Sequence, residues 1–479
     1  MEAPYARNEP DCPPRRCAIF VASAGKFGHA FAMNGETLRE LMKAVFKADE
    51  IEGLAREYQV VQRERCLDIV MLVTSLVLAG GTHDGGRQYD ALRMYTKSGA
   101  PKVVRGTFYA WFTAPLERLL VELLRRAIAH GQGVAKLLPG ILGSVIDWRI
   151  VDSTTVKLDD ALVAEWPGAG DYAALKIHKE WSVGNGNLVA YHLSPAREHD
   201  APHLTIDASR RGTGLIADLG YASLRLIIDC EAHDVRYVIR LKNNWKPRVD
   251  RIVRGAASSD IAPTDDFQVM VEQDLILQDG NAIDADVTVG RGSETAKSRL
   301  VGVPTPNGYC FFLTNLPRHT HGPLQVGTIY RVRWEIEIDN KVDKMGTRLD
   351  EISARTPTSV RILLLASMLN ATLARTIVQH EKLAIVKEKR ALKLKAAPRA
   401  PLHPIQTVRA MTVCFPLLFA LLQRKEPTVF EWNQLMSKLR VLGQHANWRR
   451  KPSVLDTLQG LTAPPGRPRN AKTKCAASA

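Results

Sequence analysis

The stretch V-I-D-W-R-I-V-D-S-T-T-V-K-L, residues 145–158, decides how the chain divides. It is rich in β-branched residues, with polar residues recurring between apolar ones, the pattern of a half-buried strand. Upstream, over residues 36–140, apolar residues instead recur at helical spacing, as in L-R-E-L-M-K-A-V-F and P-L-E-R-L-L-V-E-L-L-R-R-A-I. That spacing predicts a helical N-terminal domain. Downstream, strand-like runs follow at 181–183, 188–193, 214–218 and 235–241, with a helical stretch at 222–233. Strands alternating with helices read as a mixed α/β fold.

Further out, residues 243–328 hold short strand-like runs and turn residues, including F-Q-V-M-V, A-D-V-T-V and Y-C-F-F-L-T, and read as a β-rich insertion. Helical spacing returns after Gly327 and runs through L-L-L-A-S-M-L-N-A-T-L-A to about Leu394, followed by helices near 405–424 and 427–443. This makes 351–445 a helical C-terminal region. Residues 1–35 read as a flexible leading segment, and 446–479 as a disordered basic tail. The glycine-rich G-G-T-H-D-G-G-R at 80–87 lacks a preceding strand and a G-K-[ST] triplet, so it reads as a plain connection.

The chain has 479 residues, 45% of them hydrophobic and 24% charged, which allows a large core and excludes overall disorder, a collagen or a disulfide scaffold. A net charge of +15 favours polyanionic partners such as nucleic acid. The seven cysteines are odd in number, scattered and free of any C-x-x-C pair, which fits a reduced setting and argues against a structural zinc. The longest apolar runs, at 69–80, 362–374 and 410–422, fall short of the roughly 18–20 residues that span a bilayer, so no transmembrane helix is expected. The apolar run 17–25 follows Arg15 and Arg16 in the manner of a signal peptide, but Glu2, Glu9 and Asp11 precede it, and a cytoplasmic location is expected.

The chemistry concentrates in I-Y-R-V-R-W-E-I-E-I-D-N-K-V-D-K, residues 329–344. Read as one helix at about 100° per residue, it places Tyr330, Arg333, Glu337 and Lys344 within one narrow stripe. A carboxylate there can hold a metal while its cationic neighbours grip phosphate oxygens; a solvated charged face is the bland reading. Two aspartates shift the balance: Asp152 follows the apolar R-I-V and Asp218 follows L-I-A, each at the polar end of a strand-like run. Three carboxylates gathered by strand ends and a facing helix repel one another without divalent metal, and can bind two Mg²⁺ ions.

The order D…D…E, with the glutamate inside Y-x2-R-x3-E-x6-K, resembles the DDE transposases of bacterial insertion sequences, specifically the insertion sequence 4 family. The stretches I-V-D-S-T-T-V, L-K-I-H, I-A-D-L-G-Y-A-S, V-R-Y-V-I-R-L-K-N-N and Y-R-V-R-W-E-I-E look like that family's catalytic blocks in order. The resemblance implies a ribonuclease H-like catalytic domain over 141–350, with the β-rich insertion at about 243–328 and helical regions on both sides. It implies that Asp152, Asp218 and Glu337 bind two Mg²⁺ ions, Mn²⁺ being possible, and that Tyr330, Arg333 and Lys344 contact DNA phosphates. Trp245, with Lys242 just before it, is the candidate to hold a flipped base in the insertion; Tyr309 and Phe311 compete for that role, and a packed aromatic is the alternative. The implied partners are double-stranded DNA, as transposon terminal repeats and target, and a second copy of the chain in the DNA complex; no membrane is implied, and the location is the bacterial nucleoid. A metal-dependent nuclease of the same fold, or a non-catalytic DNA-binding derivative, are the alternative functions.

The chain departs from the family at Asn340-Lys341, where an aromatic-Lys pair is common, which bears on helix packing. Lys176 and His178 occupy the L-K-I-H block, and His199, Asp200 and His203 form a cluster; both read as structural. Ser153 lacks a positioned histidine base. The run 375–399 holds Arg375, Lys382, Lys387, Lys389, Arg390, Lys393, Lys395 and Arg399 against Glu381 and Glu388, and its plain reading is a solvated helix face.

Overall fold

The structure, a computed structural model, describes residues 33–61, 67–81, 87–99, 102–242, 244–254, 282–292, 294–306, 308–424, 426–446, 448 and 452–462. Residues 1–32, most of the glycine-rich connection at 80–87, the F-Q-V-M-V run at 267–271 and the tail beyond 462 lie outside the described residues.

Among the described residues, six α-helices precede the first strand: α1 (Gly35–Phe46), α2 (Ala48–Glu57), α3 (Ile69–Leu78), α4 (Arg87–Lys97), α5 (Arg105–Ala110) and α6 (Ala114–Gly133). In α1 the Asn34 side chain accepts from the Thr37 N–H, and Leu38, Leu41, Met42, Val45 and Phe46 are buried at the spacing of one helix face. All ten residues of α3 are buried, which makes it a core helix.

Nine strands form one sheet: β1 (Trp148–Lys157), β2 (Ala174–Ser182), β3 (Asn187–Pro195), β4 (Gly214–Ala217), β5 (Arg236–Arg240), β6 (Arg248–Arg254), β7 (Ile283–Arg291), β8 (Glu294–Thr305) and β9 (Gly308–Thr314). Their order across the sheet is β3-β2-β1-β4-β5-β9-β8-β7-β6. The β1–β2 and β2–β3 pairs are antiparallel, whereas β1–β4 and β4–β5 are parallel. Helix α7 (Leu224–Ala232), N-capped by Ser223, makes the crossover between β4 and β5. An antiparallel meander continued by parallel strands is the ribonuclease H-like α/β class expected from the sequence. Strand β2 is far longer than the 181–183 read from the sequence, because Lys179 and Glu180 lie inward against charged partners and break the apolar alternation.

The β-rich stretch does not form a separate unit. Strand β9 pairs antiparallel with β5, and β8, β7 and β6 follow outward, so the stretch extends the central sheet. The otherwise open edge of β5 is thereby satisfied, with the Thr314 hydroxyl donating to the Tyr237 carbonyl at 2.6 Å.

Helices α8 (Pro323–Arg331) and α9 (Trp334–Lys341) lead into a π-helical turn, Val342–Gly346. The stretch read as one helix is therefore broken. The amides of Val332, Arg333, Glu335 and Ile336 each donate to the carbonyl three residues back, tightening the rotation at the break.

Helix α10 (Pro357–Ala391) runs 35 residues through the core. It is longer than the apolar run read from the sequence: an 18-residue window has mean hydropathy 1.4, long and apolar enough to cross a membrane, and that window is wholly buried in the fold. The sequence reading stopped at the unbroken apolar run, whereas small and hydroxyl residues such as Ser367, Thr372 and Thr376 are equally buried, with the Ser367 and Thr376 hydroxyls donating to the carbonyls of Leu363 and Thr372 one turn back.

The stretch near 405–424 is two helices, α11 (Pro404–Val413) and α12 (Phe415–Gln423), bent by 65°. They are followed by α13 (Val429–Gly443) and α14 (Val454–Leu458). Helix α14 lies where a disordered tail is expected. Trp448, Leu455 and Leu461 are buried, and the Trp448 indole N–H donates to the Leu461 carbonyl at 3.1 Å. Those apolar anchors give residues 452–462 a folded partner surface, which composition alone obscured.

Just after α10, Lys393 has φ +49°, and the Leu394 N–H donates to the Lys389 carbonyl at 2.9 Å, closing the helix end. Glycine is preferred at such a position. Lys393→Gly is expected to raise stability by about 0.5–1 kcal/mol, checked by urea denaturation; a loss would show that the lysine side chain stabilises the cap.

Candidate active site

Strands β1 and β4 are paired in parallel, with Val151 opposite Ala217 as the last pair. Asp152 and Asp218 are the next residues on their chains, so both lie just past the end of that pairing, Asp218 beyond the end of β4 and Asp152 midway along β1, which continues paired with β2. The opposing element is α9, held across the strand ends by a buried ionic knot. Lys179 of β2 donates to Asp339 at 2.7 Å and to Asp343 at 2.6 Å. Arg375 of α10 pairs with Asp339 and, at 2.9 Å, with Asp343. The π turn contributes Asp343 to the knot begun by Asp339. Burial works against these charges, but Lys179 and then Arg375 hold the Asp343 carboxyl below its usual range, and the two carboxylates keep Lys179 charged.

Three side chains of this region, Tyr330, Arg333 and Asn340, contact the acids. The Tyr330 hydroxyl donates to Asp218 Oδ1 at 3.1 Å. Arg333 donates to Glu337 Oε1 at 2.6 Å and lies 4.0 Å from Asp218 Oδ2. Asn340 Nδ2 donates to Asp152 Oδ2 at 3.0 Å. The break in the helix brings Tyr330 and Arg333 together, with the guanidinium 6.0 Å from the phenol ring. Burial, then the Asp218 charge, raises the Tyr330 phenol above its ordinary value, so it remains a donor. Burial also pushes the Asp152 carboxyl up; the Ser153 N–H, Arg333 and Lys179 oppose this, while the Asp218 charge adds to it.

Asp152, Asp218, Glu337, Tyr330 and Arg333 are thus brought together. Lys344 is not: it sits half-buried in the π turn, with no hydrogen bond or ion pair among the described residues. Trp245 and Lys242 occupy the turn leaving β5, with Lys242 Nζ 5.9 Å from the indole, and Trp245 packs against the core beneath β7 and β8. Because β4 and β5 are parallel, that turn leaves the sheet at the end where Asp218 projects.

Two residues escaped the sequence reading. Asn340, read as a departure affecting packing, holds Asp152; its signal was its place three residues after Glu337, on the same helix face. Arg240, at the end of β5, acts electrostatically on Tyr330. Asn340→Ala is expected to slow the chemistry of this site about tenfold, the worth of one hydrogen bond orienting a carboxylate, read as kcat with binding unchanged.

The donor set fits divalent metal. All three acids offer oxygen ligands, Asp152 is incompletely compensated, and Asn340 Oδ1 is buried with no partner in the structure. Among the described residues no three His, Cys, Asp or Glu side chains already converge as ligands. The Arg333 guanidinium lies where it neutralises Asp218 and Glu337.

On the other side of β1, Ser153 donates to Asp200 at 2.9 Å, and Lys176 pairs with Asp200 at 3.1 Å. The His178 ring stacks on His203 at 4.1 Å and bonds Ser194 at 2.9 Å, and burial followed by His203 pushes it down to about 4. The His178 imidazole is thus packed between His203 and Ser194.

Residues 144–373 match the model of a family described as a transposase DDE domain. A transposase for insertion sequence element IS231F of Bacillus thuringiensis subsp. israelensis is 24% identical over 324 residues, covering 58% of this chain and 67% of its own. The IS231C transposase of Bacillus thuringiensis subsp. berliner is 32% identical over 101 residues, covering 20% of this chain and 21% of its own; the IS231B transposase of the same source matches over the same fraction at 31%. The chain thus spans about a fifth of the length of those two relatives. A cryo-EM structure of the piggyBac transposase synaptic complex with hairpin DNA is similar with a TM-score of 0.41 and 10% identity, covering 84% of each chain.

Proposed function

We propose, from the premise that residues 144–373 belong to the transposase DDE domain family, that this chain is the DNA transposase of a bacterial insertion sequence. It would cut at the transposon ends and join the freed 3′ hydroxyl to target DNA. The observation that carries this reading is the linkage of three acids from three separated segments through Tyr330, Arg333 and Asn340, just past the last β1–β4 pair. That arrangement is suited to phosphoryl transfer, in which a protein works mainly by positioning and charge stabilisation.

Asp152, Asp218 and Glu337 would hold two divalent ions, Mg²⁺ or Mn²⁺, which when bound activate the attacking oxygen and stabilise the leaving one. Arg333 already faces two of the acids and would turn its free donors to the phosphate. Tyr330 keeps its proton and would donate to Asp218 or to a phosphate oxygen. Asn340 would fix the rotamer of Asp152. Lys344 would approach the DNA backbone from the π turn, and Trp245, with Lys242, would meet a displaced base beside the Asp218 end. The partners on this reading are terminal-repeat and target duplexes and a second copy of the chain, and the location is the bacterial nucleoid.

The test is incubation of a labelled duplex carrying the element's terminal repeats with target DNA and Mg²⁺. The expected result is cleavage at the 3′ end and a joined product, both lost on chelation. Cleavage without joining would point to a nuclease, and binding with neither product to a non-catalytic DNA-binding protein.

A further inference from the structure

The basic run at 375–399 separates into two halves once its side chains are placed. Arg375 belongs to the ionic knot, Lys382 pairs with Asp456 at 2.7 Å, Lys389 donates to the Gly460 carbonyl at 2.7 Å, and Arg399 pairs with Glu381 at 3.0 Å and with Glu388. These four hold the fold together. Lys387, Arg390, Lys393 and Lys395 do not: all four are exposed, and none makes an ion pair or side-chain hydrogen bond among the described residues. The two acids of the run, Glu381 and Glu388, are buried and spent on Arg399 and Arg440, so no carboxylate within it dilutes the four exposed cations.

Geometry groups these cations. Lys387 and Arg390 lie about one turn apart on the same side of α10, and the left-handed Lys393 then folds the chain back, keeping Lys395 at the same helix end. The described chain also ends here, since the Ala397 N–H donates to the Thr462 carbonyl at 2.9 Å. The sequence that follows holds Arg467, Arg469, Lys472 and Lys474 and no acid. Along α10, Lys382 lines one small cavity with Glu335 of α9, and Lys387 is five residues, about 7.5 Å, further along the helix axis.

We propose that Lys387, Arg390, Lys393 and Lys395 form a second DNA contact, a phosphate-binding patch that grips duplex backbone flanking the base pairs held at the acidic cluster. The proposal rests on the transposase reading and adds a surface to it. Four unpaired cations spaced over one helix end suit a row of phosphates, which such groups bind without reading sequence. The folded C-terminal segment ties this end of α10 through Lys382–Asp456 and Lys389–Gly460, and its Leu455 lines one cavity with Glu335 and Ile338 of α9, which connects the patch to the helix that carries Glu337.

The experiment is a salt titration of duplex binding by the full chain, followed by fluorescence anisotropy. Wild type is compared with the combined Lys387→Gln, Arg390→Gln, Lys393→Gln and Lys395→Gln variant, and with a charge-keeping variant in which lysines and arginine are exchanged. The glutamine variant is expected to lose about 3–4 from the slope of log K against log salt, and to bind at least tenfold more weakly at about 0.15 M salt. The loss should be equal for terminal-repeat and unrelated duplexes, and the charge-keeping variant should restore the slope. An unchanged slope in the glutamine variant overturns the patch while leaving the transposase reading intact. No duplex binding by wild type would overturn both.

Discussion

Glu337→Gln is expected to abolish cleavage and joining, by about three orders of magnitude or more, while DNA binding changes less than about threefold. A thousandfold loss corresponds to about 4 kcal/mol of transition-state stabilisation, the scale on which a metal-holding carboxylate or a preorganised electrostatic group acts. The substitution is chosen because it removes charge and little else. The carboxamide keeps the size of the side chain, and its oxygen can still accept from Arg333, which in the native chain donates to Glu337 Oε1 at 2.6 Å. A structural role for Glu337 would therefore survive the change, whereas a role in holding divalent metal would not. The measurement is single-turnover cleavage of a labelled terminal-repeat duplex beside anisotropy on the same duplex. Cleavage within about threefold of wild type would remove Glu337 from the site.

Asp343→Ala is expected to cost about 3–5 kcal/mol of unfolding free energy, because it strips one charge from a closed group of two cations and two anions. Lys179, Asp339, Asp343 and Arg375 are each no more than about 4% exposed, so the cation left over has no water to replace its partner. The knot also ties α9 to β2 and α10, so the loss should lower activity in the population that remains folded. Replacing both members of the pair, as Lys179→Met with Asp343→Ala, should cost less than the sum of the two single changes, since the double variant leaves no unpaired buried charge. Urea denaturation of the four proteins of this cycle measures the coupling. A single-variant cost below about 1 kcal/mol would mean that water or rearrangement already compensates the group.

Much of the site was legible because its chemistry is local in the chain. Asp152 and Asp218 each terminate an apolar run, and the parallel pairing of β1 with β4 sets them side by side just past its last pair, although β1 itself runs on to Lys157. The spacing of Tyr330, Arg333 and Glu337 needed only helical rotation, and the break at Val332 left the three together while tightening the turn between the first two. Lys344 marks where that reasoning stops. A π turn inserts before it, and nothing in V-D-K-M-G announces the turn, because the reason for it is the demand of Lys179 and Arg375 for a second carboxylate.

The sequence by itself determined the α/β class, the three acids and the surplus of positive charge, since alternation, helical spacing and charge are properties of neighbouring residues. Tertiary structure decided what depends on partners distant in the chain. Pairing of β9 with β5 turned an apparent insertion into the continuation of the central sheet, because an open strand edge needs hydrogen bonds wherever in the chain they come from. Burial separated eight similar cations into four structural and four exposed ones, because a basic side chain is spent or available according to whether a carboxylate or carbonyl 2.7–3.0 Å away already holds it.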